Sequence, residues 1–216
     1  MKFFPLLALA ILIGFRSYAQ IETPLVMFLV EQDRVSKETD SGKYYASPVH
    51  PEHKIFVSDD MYYRLLTPDD NVVAEGTLSM NGDKYMLEGK WTEYYDNGKT
   101  KNTGFYLHNK LVGSWQQYYP DGRLRSVCNY ALIENKATYT CKAGNYMEYF
   151  ENGHLKTAGM YKAVIDASMK DTVQVENPDT GQMTTKITSG DIPHSEKCGR
   201  WEYYNEQGEL VKKEDL

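Results

Sequence analysis

The 216-residue chain is short of most things that enzymes and metal proteins use. It has three cysteines, Cys128, Cys141 and Cys198, and no CxxC pair, which excludes a zinc site built on that spacing. Its one close histidine pair, His50-x-x-His53, falls in a proline-containing loop with no helix to align the rings. There is no G-x-S-x-G and no H-E-x-x-H, so the common nucleophile-elbow and zincin chemistries are excluded. Gly98-Lys99-Thr100 ends like a phosphate loop, but the glycine required five residues earlier is Glu93. The acidic turns Asp59-Asp60 and Asp69-Asp70-Asn71 lack the spacing of an EF-hand loop. No catalytic residue, cofactor or metal ligand is read from this sequence.

Long apolar runs are equally scarce. The longest, from Phe3 to Phe15, follows Lys2 and is closed by Ser17-Tyr18-Ala19. That is the pattern of a secretory signal peptide, with cleavage expected near Ala19; the run is short for spanning roughly 30 Å of hydrocarbon as an anchor. Residues 1–19 are therefore set aside, and the mature chain is expected to be secreted or periplasmic, with no transmembrane segment. Loss of Lys2 and Arg16 would move the net charge from −6 to −8. An acidic balance of that size argues against non-specific nucleic-acid binding.

What the sequence does have is a repeat. Four segments, GKWTEYYDNGK, GSWQQYYPDGR, GNYMEYFENGH and GRWEYYNEQGE, share one frame. It opens on Gly89, Gly113, Gly144 and Gly199. Two residues later stand Trp91, Trp115, Tyr146 and Trp201, three further on Tyr94, Tyr118, Tyr149 and Tyr204, and the frame closes on Gly98, Gly122, Gly153 and Gly208. Six residues past the closing glycine comes a small residue and then an aromatic: Gly104 and Tyr106, Cys128 and Tyr130, Gly159 and Tyr161. A degenerate copy precedes the set at 62–78, with Gly76 in the small position.

Tryptophan and tyrosine favour the pleated surface, and Asp96-Asn97-Gly98 or Pro120-Asp121-Gly122 is turn chemistry with glycine taking positive φ. Each unit reads as a β-hairpin. A lone hairpin is marginal in water, so the units are expected side by side in one sheet. The fold class is all-β: successive antiparallel hairpins in one curved open sheet over 60–216, with the Trp91, Trp115, Tyr146 and Trp201 row stacked on one face and the Tyr94 row on the other.

The frame G-x-W/Y-x-x-Y-x-x-x-G resembles the MORN-variant repeat of secreted bacterial and antitoxin-like proteins. The resemblance covers 89–216 with interruptions and 60–88 weakly. It implies a scaffolding or binding module and is silent on activity.

First-glycine spacing grows from 24 to 31 to 55 residues, so two junctions carry insertions. In the first, Cys128 and Cys141 bracket a turn centred on Glu134-Asn135, which would set them opposite each other as a disulfide or as two buried thiols. The second, at about 163–197, alternates apolar and polar residues around Asn177-Pro178-Asp179-Thr180-Gly181 and reads as a projecting hairpin. In the N-terminal region 20–59, residues 24–30 and 53–66 look like strands and 36–54 like a polar loop. This region is expected to cap the sheet's first edge.

The functional expectation is a non-enzymatic module that binds another protein, through Tyr94, Tyr118, Tyr149 and Tyr204 or through the inserted hairpin. The alternative is a glycan or envelope polysaccharide laid on the aromatic rows, which requires the tryptophans in solvent. A narrower form of the first reading is an immunity or antitoxin-type inhibitor.

Overall fold

The structure is a computed structural model that describes residues 35–47, 52–82, 84–134, 138–166, 170–176, 183–189 and 192–216. The expected leader at 1–19, residues 24–30, His50 and the tip of the inserted hairpin lie outside the described residues.

The chain runs β1 (Val35–Thr39), β2 (Gly42–Ala46), β3 (Lys54–Ser58), β4 (Tyr62–Leu66), β5 (Val72–Asn81), β6 (Lys84–Tyr94), β7 (Thr100–Leu107), β8 (Lys110–Tyr118), β9 (Leu124–Glu134), β10 (Thr138–Tyr149), β11 (Leu155–Asp166), β12 (Lys170–Glu176), β13 (Met183–Ser189), β14 (Ile192–Tyr204) and β15 (Leu210–Asp215). Thirteen strands form one antiparallel sheet in strict chain order, and β12 and β13 pair as a separate two-stranded sheet between β11 and β14. There is no helix among the described residues. The sheet is an open meander of successive hairpins.

The repeat frame maps onto this order directly. The first aromatic sits late in β6, β8, β10 and β14, the closing glycine sits in the turn, and the small residue sits in the returning strand. The turns are alike. Tyr95 N–H donates to Lys99 O at 2.8 Å and Gly98 N–H to Tyr95 O at 2.8 Å, with the same pair of bonds at 119–123, 150–154 and 205–209. Gly98, Gly122, Gly153 and Gly208 all have positive φ, from 75° to 90°.

The degenerate copy has the same backbone with different letters. Thr67 N–H donates to Asn71 O and Asp70 N–H to Thr67 O, so Asp70 stands where the other copies have the closing glycine, at φ 61°. Met61, at φ 63°, stands where they have the opening one. Tyr63 takes the place of the tryptophan, opposite Gly76.

The opening glycine has a role that its place in the frame did not announce. Gly89, at φ 72°, pairs in regular register with Tyr106 on β7. Towards β5, however, Gly76 faces Trp91 while Thr77 faces Glu88, so Gly89 and Lys90 are extra residues. The same two-residue bulge recurs at β8 against β7, at β10 against β9 and at β14 against β11. A left-handed residue is needed there, and glycine takes it without a Cβ penalty. Bulges bend a strand and increase its twist; repeated at one point of every unit, they coil the sheet. Strands four apart would be about 19 Å from each other in a flat sheet, yet Tyr45 Oη on β2 lies 3.4 Å from Tyr85 Oη on β6.

Coiling gives one face a core. Trp91 and Trp115 are 2% exposed and Trp201 1%; Tyr45, Ile55, Tyr63, Leu65, Leu78, Leu87 and Tyr106 form one cluster with Trp91 and Trp115. The expected stacking of the row holds at its last pair, where Tyr146 and Trp201 stack with ring centres 5.8 Å apart, but not between Trp91 and Trp115, which a returning strand separates by two strand spacings, about 10 Å. The aromatic of that returning strand fills the interval edge-on: Tyr106 lies 6.0 Å from Trp91 and 5.1 Å from Trp115. Tyr161 packs edge-on against both members of the last pair, Tyr146 at 5.7 Å and Trp201 at 5.2 Å. At the C-terminal end the Lys197 ammonium sits over Trp201, its Nζ 4.2 Å from the ring centre, a cation–π contact, and donates to Tyr203 Oη at 2.9 Å.

Three further expectations are corrected. Cys128 and Cys141 are not opposite each other: Cys141 faces Ala131, and Cys128 faces Tyr146. Glu134 pairs with Thr138, which sets Cys141 against Ala131, and the bulge at Gly144 shifts the register again. All three cysteines are free, Cys128 and Cys141 buried. Residues 36–54 are not a polar loop but contain the β1–β2 hairpin, held by Thr39 Oγ1–H donating to Gly42 O at 2.8 Å. Its polarity is that of an edge strand, where Lys37 and Glu38 discourage pairing with another chain. The inserted hairpin is shorter than 163–197, because β11 and β14 stay paired as far as Asp166 and Ile192.

Candidate functional site

Side chains alternate along a strand, so the residues beside each buried tryptophan point to the sheet's outer face. Thr92, Thr103, Gln116, Val127, Met147, Ala158 and Glu202 form one cross-strand row there. Two residues nearer the turns stand Tyr94, Tyr118, Tyr149 and Tyr204, all half-buried. The structure therefore places the four tyrosines on the face opposite the tryptophans.

Three of them fold back along their own strand. Tyr118 Oη–H donates to Gln116 Oε1 at 2.6 Å, Tyr149 to Met147 Sδ at 3.5 Å and Tyr204 to Glu202 Oε2 at 2.7 Å. Tyr94 reaches the neighbouring strand instead, donating to Glu75 Oε1 at 2.7 Å. Partial burial first, and then the Glu75 carboxylate, push its phenol up to about 12. Tyr204 is also raised, by its hydrogen bond to Glu202 first. These four hydroxyls are already in use as donors; what the row presents outwards is ring surface.

The outer face is not uniform. At β4 to β6 it is polar, with Arg64 Nε 3.5 Å from Glu75 Oε2 and Thr92 Oγ1 3.2 Å from Thr103 Oγ1 on β7. From β9 to β11 the row turns apolar, with Val127, Met147 and Ala158 in succession. Met160, 46% exposed, follows on β11. Tyr118 and Tyr149 border this strip. Sequence reasoning found the tyrosines but not the strip, because Val127, Met147 and Ala158 belong to three different strands and become neighbours only through the register.

A second feature runs along the turn end. From 95–99 onwards, each turn passes side chains to the next. Tyr95 Oη–H donates to Tyr118 O at 2.7 Å, Asn97 Nδ2 to Pro120 O at 2.8 Å and Lys99 Nζ to Asp121 O at 2.6 Å. Tyr119 then donates to Tyr149 O at 2.8 Å and Arg123 to Glu151 O at 2.6 Å. Asn152 Nδ2 and His154 Nδ1 both lie 2.7 Å from Glu206 O. Before the array, Lys54 Nζ donates to Pro68 O at 3.3 Å. The sequence carries a signal for this ladder, a ring after the frame's tyrosine and a cation after its closing glycine, but on its own that signal reads only as turn composition.

Among the described residues, no three His, Cys, Asp or Glu side chains gather as a metal site needs. No described helix is long and apolar enough to cross a membrane. No curated protein matches the chain. A family model described as MORN repeat variant matches residues 87–108, 111–131 and 142–163, which are the β6–β7, β8–β9 and β10–β11 hairpins. The same backbone continues on either side of them in β4–β5 and β14–β15, and this chain is a MORN-variant repeat protein.

Proposed function

We propose that this protein is an exported, non-enzymatic binding module whose outer face contacts another protein. The observation that carries this is how the aromatics are divided. The tryptophans are buried in the core, at 1–2% exposure, and the half-buried tyrosines border an apolar strip on the other face. Rings beside the half-buried Val127 and Met147 and the exposed Met160 are the composition of a protein-binding patch, in which aromatic and methionine side chains are enriched. Open-sheet hairpin repeats offer such a patch on a rigid surface. The glycan reading needs exposed, coplanar rings, and burial of the tryptophans takes that platform away. Export rests on the basic, apolar and small-residue pattern of 1–19. An inhibitor of another protein would be one form of the same contact.

The test is site-specific photo-crosslinking in the native host, with the crosslinker at position 118 or 147 and, as control, at position 37 on the far end of the sheet. A single protein adduct at 118 and 147 and none at 37 is expected, with the adduct at 118 lost on Met147→Glu at an unchanged melting temperature. Equal adducts at all three positions would refute the strip as the contact. So would retention on an envelope polysaccharide that Met147→Glu leaves intact.

A further inference from the structure

The turn ladder is interrupted between the first turn, 67–71, and the second, 95–99. Among the described residues, no side chain of the first turn donates to the second. The positions that reach across elsewhere hold Thr67 in place of Tyr95 or Tyr119, Asp69 in place of Asn97 or Asn152, and Asn71 in place of Lys99, Arg123 or His154. Thr67 and Asn71 are too short, and a carboxylate has no proton to give. An open cleft of about 580 Å³ lies between the two turns instead. Val72 and Val73 line it together with Tyr94, and the carboxylates of Asp69, Glu75 and Asp96 stand around it.

We propose that this cleft receives an aromatic and cationic pair from an exposed segment of a partner protein, a tyrosine-like ring with a lysine or arginine a few residues on. The following junctions supply the template. There the equivalent space is crossed by the ring of Tyr95 or Tyr119 and by Lys99 or Arg123, and the acceptors are main-chain carbonyls of the next turn. The corresponding carbonyls here are those of Tyr94, Asp96 and Asn97. Charge agrees with geometry. Three carboxylates line the cleft and no cationic side chain does; Arg64, which lies 3.5 Å from Glu75, offsets one of them from outside. A second copy of this chain is a poor occupant. Its last turn, the free end of the ladder, carries Asn205, Gln207 and Glu209 at the reaching positions, with no ring and a further negative charge.

The site is separate from the apolar strip and stands or falls independently of it. The probe is a cyclic peptide of the turn Tyr-Pro-Asp-Gly-Arg, as in 119–123, titrated into the full chain and followed by amide chemical shifts. Shifts confined to 67–73 and 94–98 are expected, with affinity about tenfold weaker when the peptide's arginine is replaced by glutamate. Thr67→Tyr combined with Asn71→Lys fills the cleft from within; it is expected to melt higher than the parent and to bind no peptide. Should that protein misfold, Asp69→Ser with Asp96→Asn, which removes two charges without giving position 69 a reaching amide, is expected to weaken binding about tenfold at an unchanged melting temperature. Shifts elsewhere, equal binding of both peptides, or undiminished binding by this paired variant would overturn the proposal.

Discussion

The indole of Trp115 lies over Gly104 on the neighbouring strand, and a Cβ on that glycine would overlap the indole atoms Cγ, Cδ2 and Cε2. Trp91 covers Gly76 and Trp201 covers Gly159 in the same way. The exception is informative. Where the ring is Tyr146, the residue facing it is Cys128. The smaller ring leaves room for a side chain, so ring and small residue vary together.

That relation predicts a coupled pair. Tyr146→Trp alone should press its second ring on Cys128 and cost about 1–3 kcal/mol, the usual penalty for overpacking. Cys128→Gly alone should cost about 1 kcal/mol, through lost packing and added chain entropy. Together they recreate the pairing of the other copies, and the introduced indole would find Glu148 two residues on, as Trp91 Nε1 finds Glu93 Oε1 at 3.3 Å. The double variant should therefore be more stable than the sum of the singles by at least about 1 kcal/mol. Urea midpoints of the four proteins measure this; simple additivity would mean the two side chains do not share space.

The degenerate copy predicts a gain. Asp70 holds φ 61° at a position where a left-handed non-glycine residue costs on the order of 1 kcal/mol. Its ion pair with Lys54, at 2.9 Å, is exposed and contributes little. Asp70→Gly should raise stability by about 0.5–1 kcal/mol once the entropy of the added glycine is counted. Met61 is strained alike, at φ 63°, but it packs against the core, so Met61→Gly should come out near neutral. Thermal melts of both variants check the contrast; a loss of stability in Asp70→Gly would place the value of that residue in its side chain.

These cases show what was legible and why. The hairpin, its turn and the opposed faces follow from local letters, Trp91, Tyr94 and Gly98, because strand alternation and turn chemistry act over a few residues. Met61 and Asp70 were invisible because the backbone of the first copy persists without the glycines that signalled it elsewhere. The β1–β2 hairpin was hidden by polarity, since an edge strand buries little and Ser36, Lys37 and Glu38 read as loop. The apolar strip and the turn ladder depend on which strands and turns end up side by side. That depends on the bulges at Gly89, Gly113, Gly144 and Gly199, whose register shifts are not written in any one segment.

The aromatic core predicts alkaline weakness. Burial, the largest cause at each, holds the phenols of Tyr63, Tyr106, Tyr130 and Tyr146 well above the ordinary tyrosine range. In the unfolded chain they ionise near pH ~10. Below that pH both states are protonated and these groups leave stability unchanged. Above it the unfolded state binds fewer protons than the folded one, so stability falls as pH rises. The urea midpoint should be flat to about pH 9 and drop steeply beyond about pH 10. Absorbance at a tyrosinate wavelength should show a subset of rings ionising only as the sheet unfolds. Free titration of every tyrosine with the fold intact would contradict the burial of these four.

The turn ladder makes the last prediction, and it carries its own control. Tyr95 and Tyr119 each donate a hydroxyl to a carbonyl of the following turn, at 2.7 and 2.8 Å, while Phe150 occupies the same position of the next copy with no hydroxyl to give. Tyr119→Phe removes one bond and keeps the ring, so it should cost about 1 kcal/mol, the net worth of a typical hydrogen bond. Phe150→Tyr adds a donor directed at the equivalent carbonyl, that of Tyr204, and should gain up to a similar amount, about 0.5–1 kcal/mol. Opposite signs for chemically opposite changes at equivalent positions would establish that the turns are coupled in series. If neither variant moves the melting temperature, the side-chain bonds only decorate turns already fixed by Gly122 and Gly153, and register between repeats is set by the aromatic core alone.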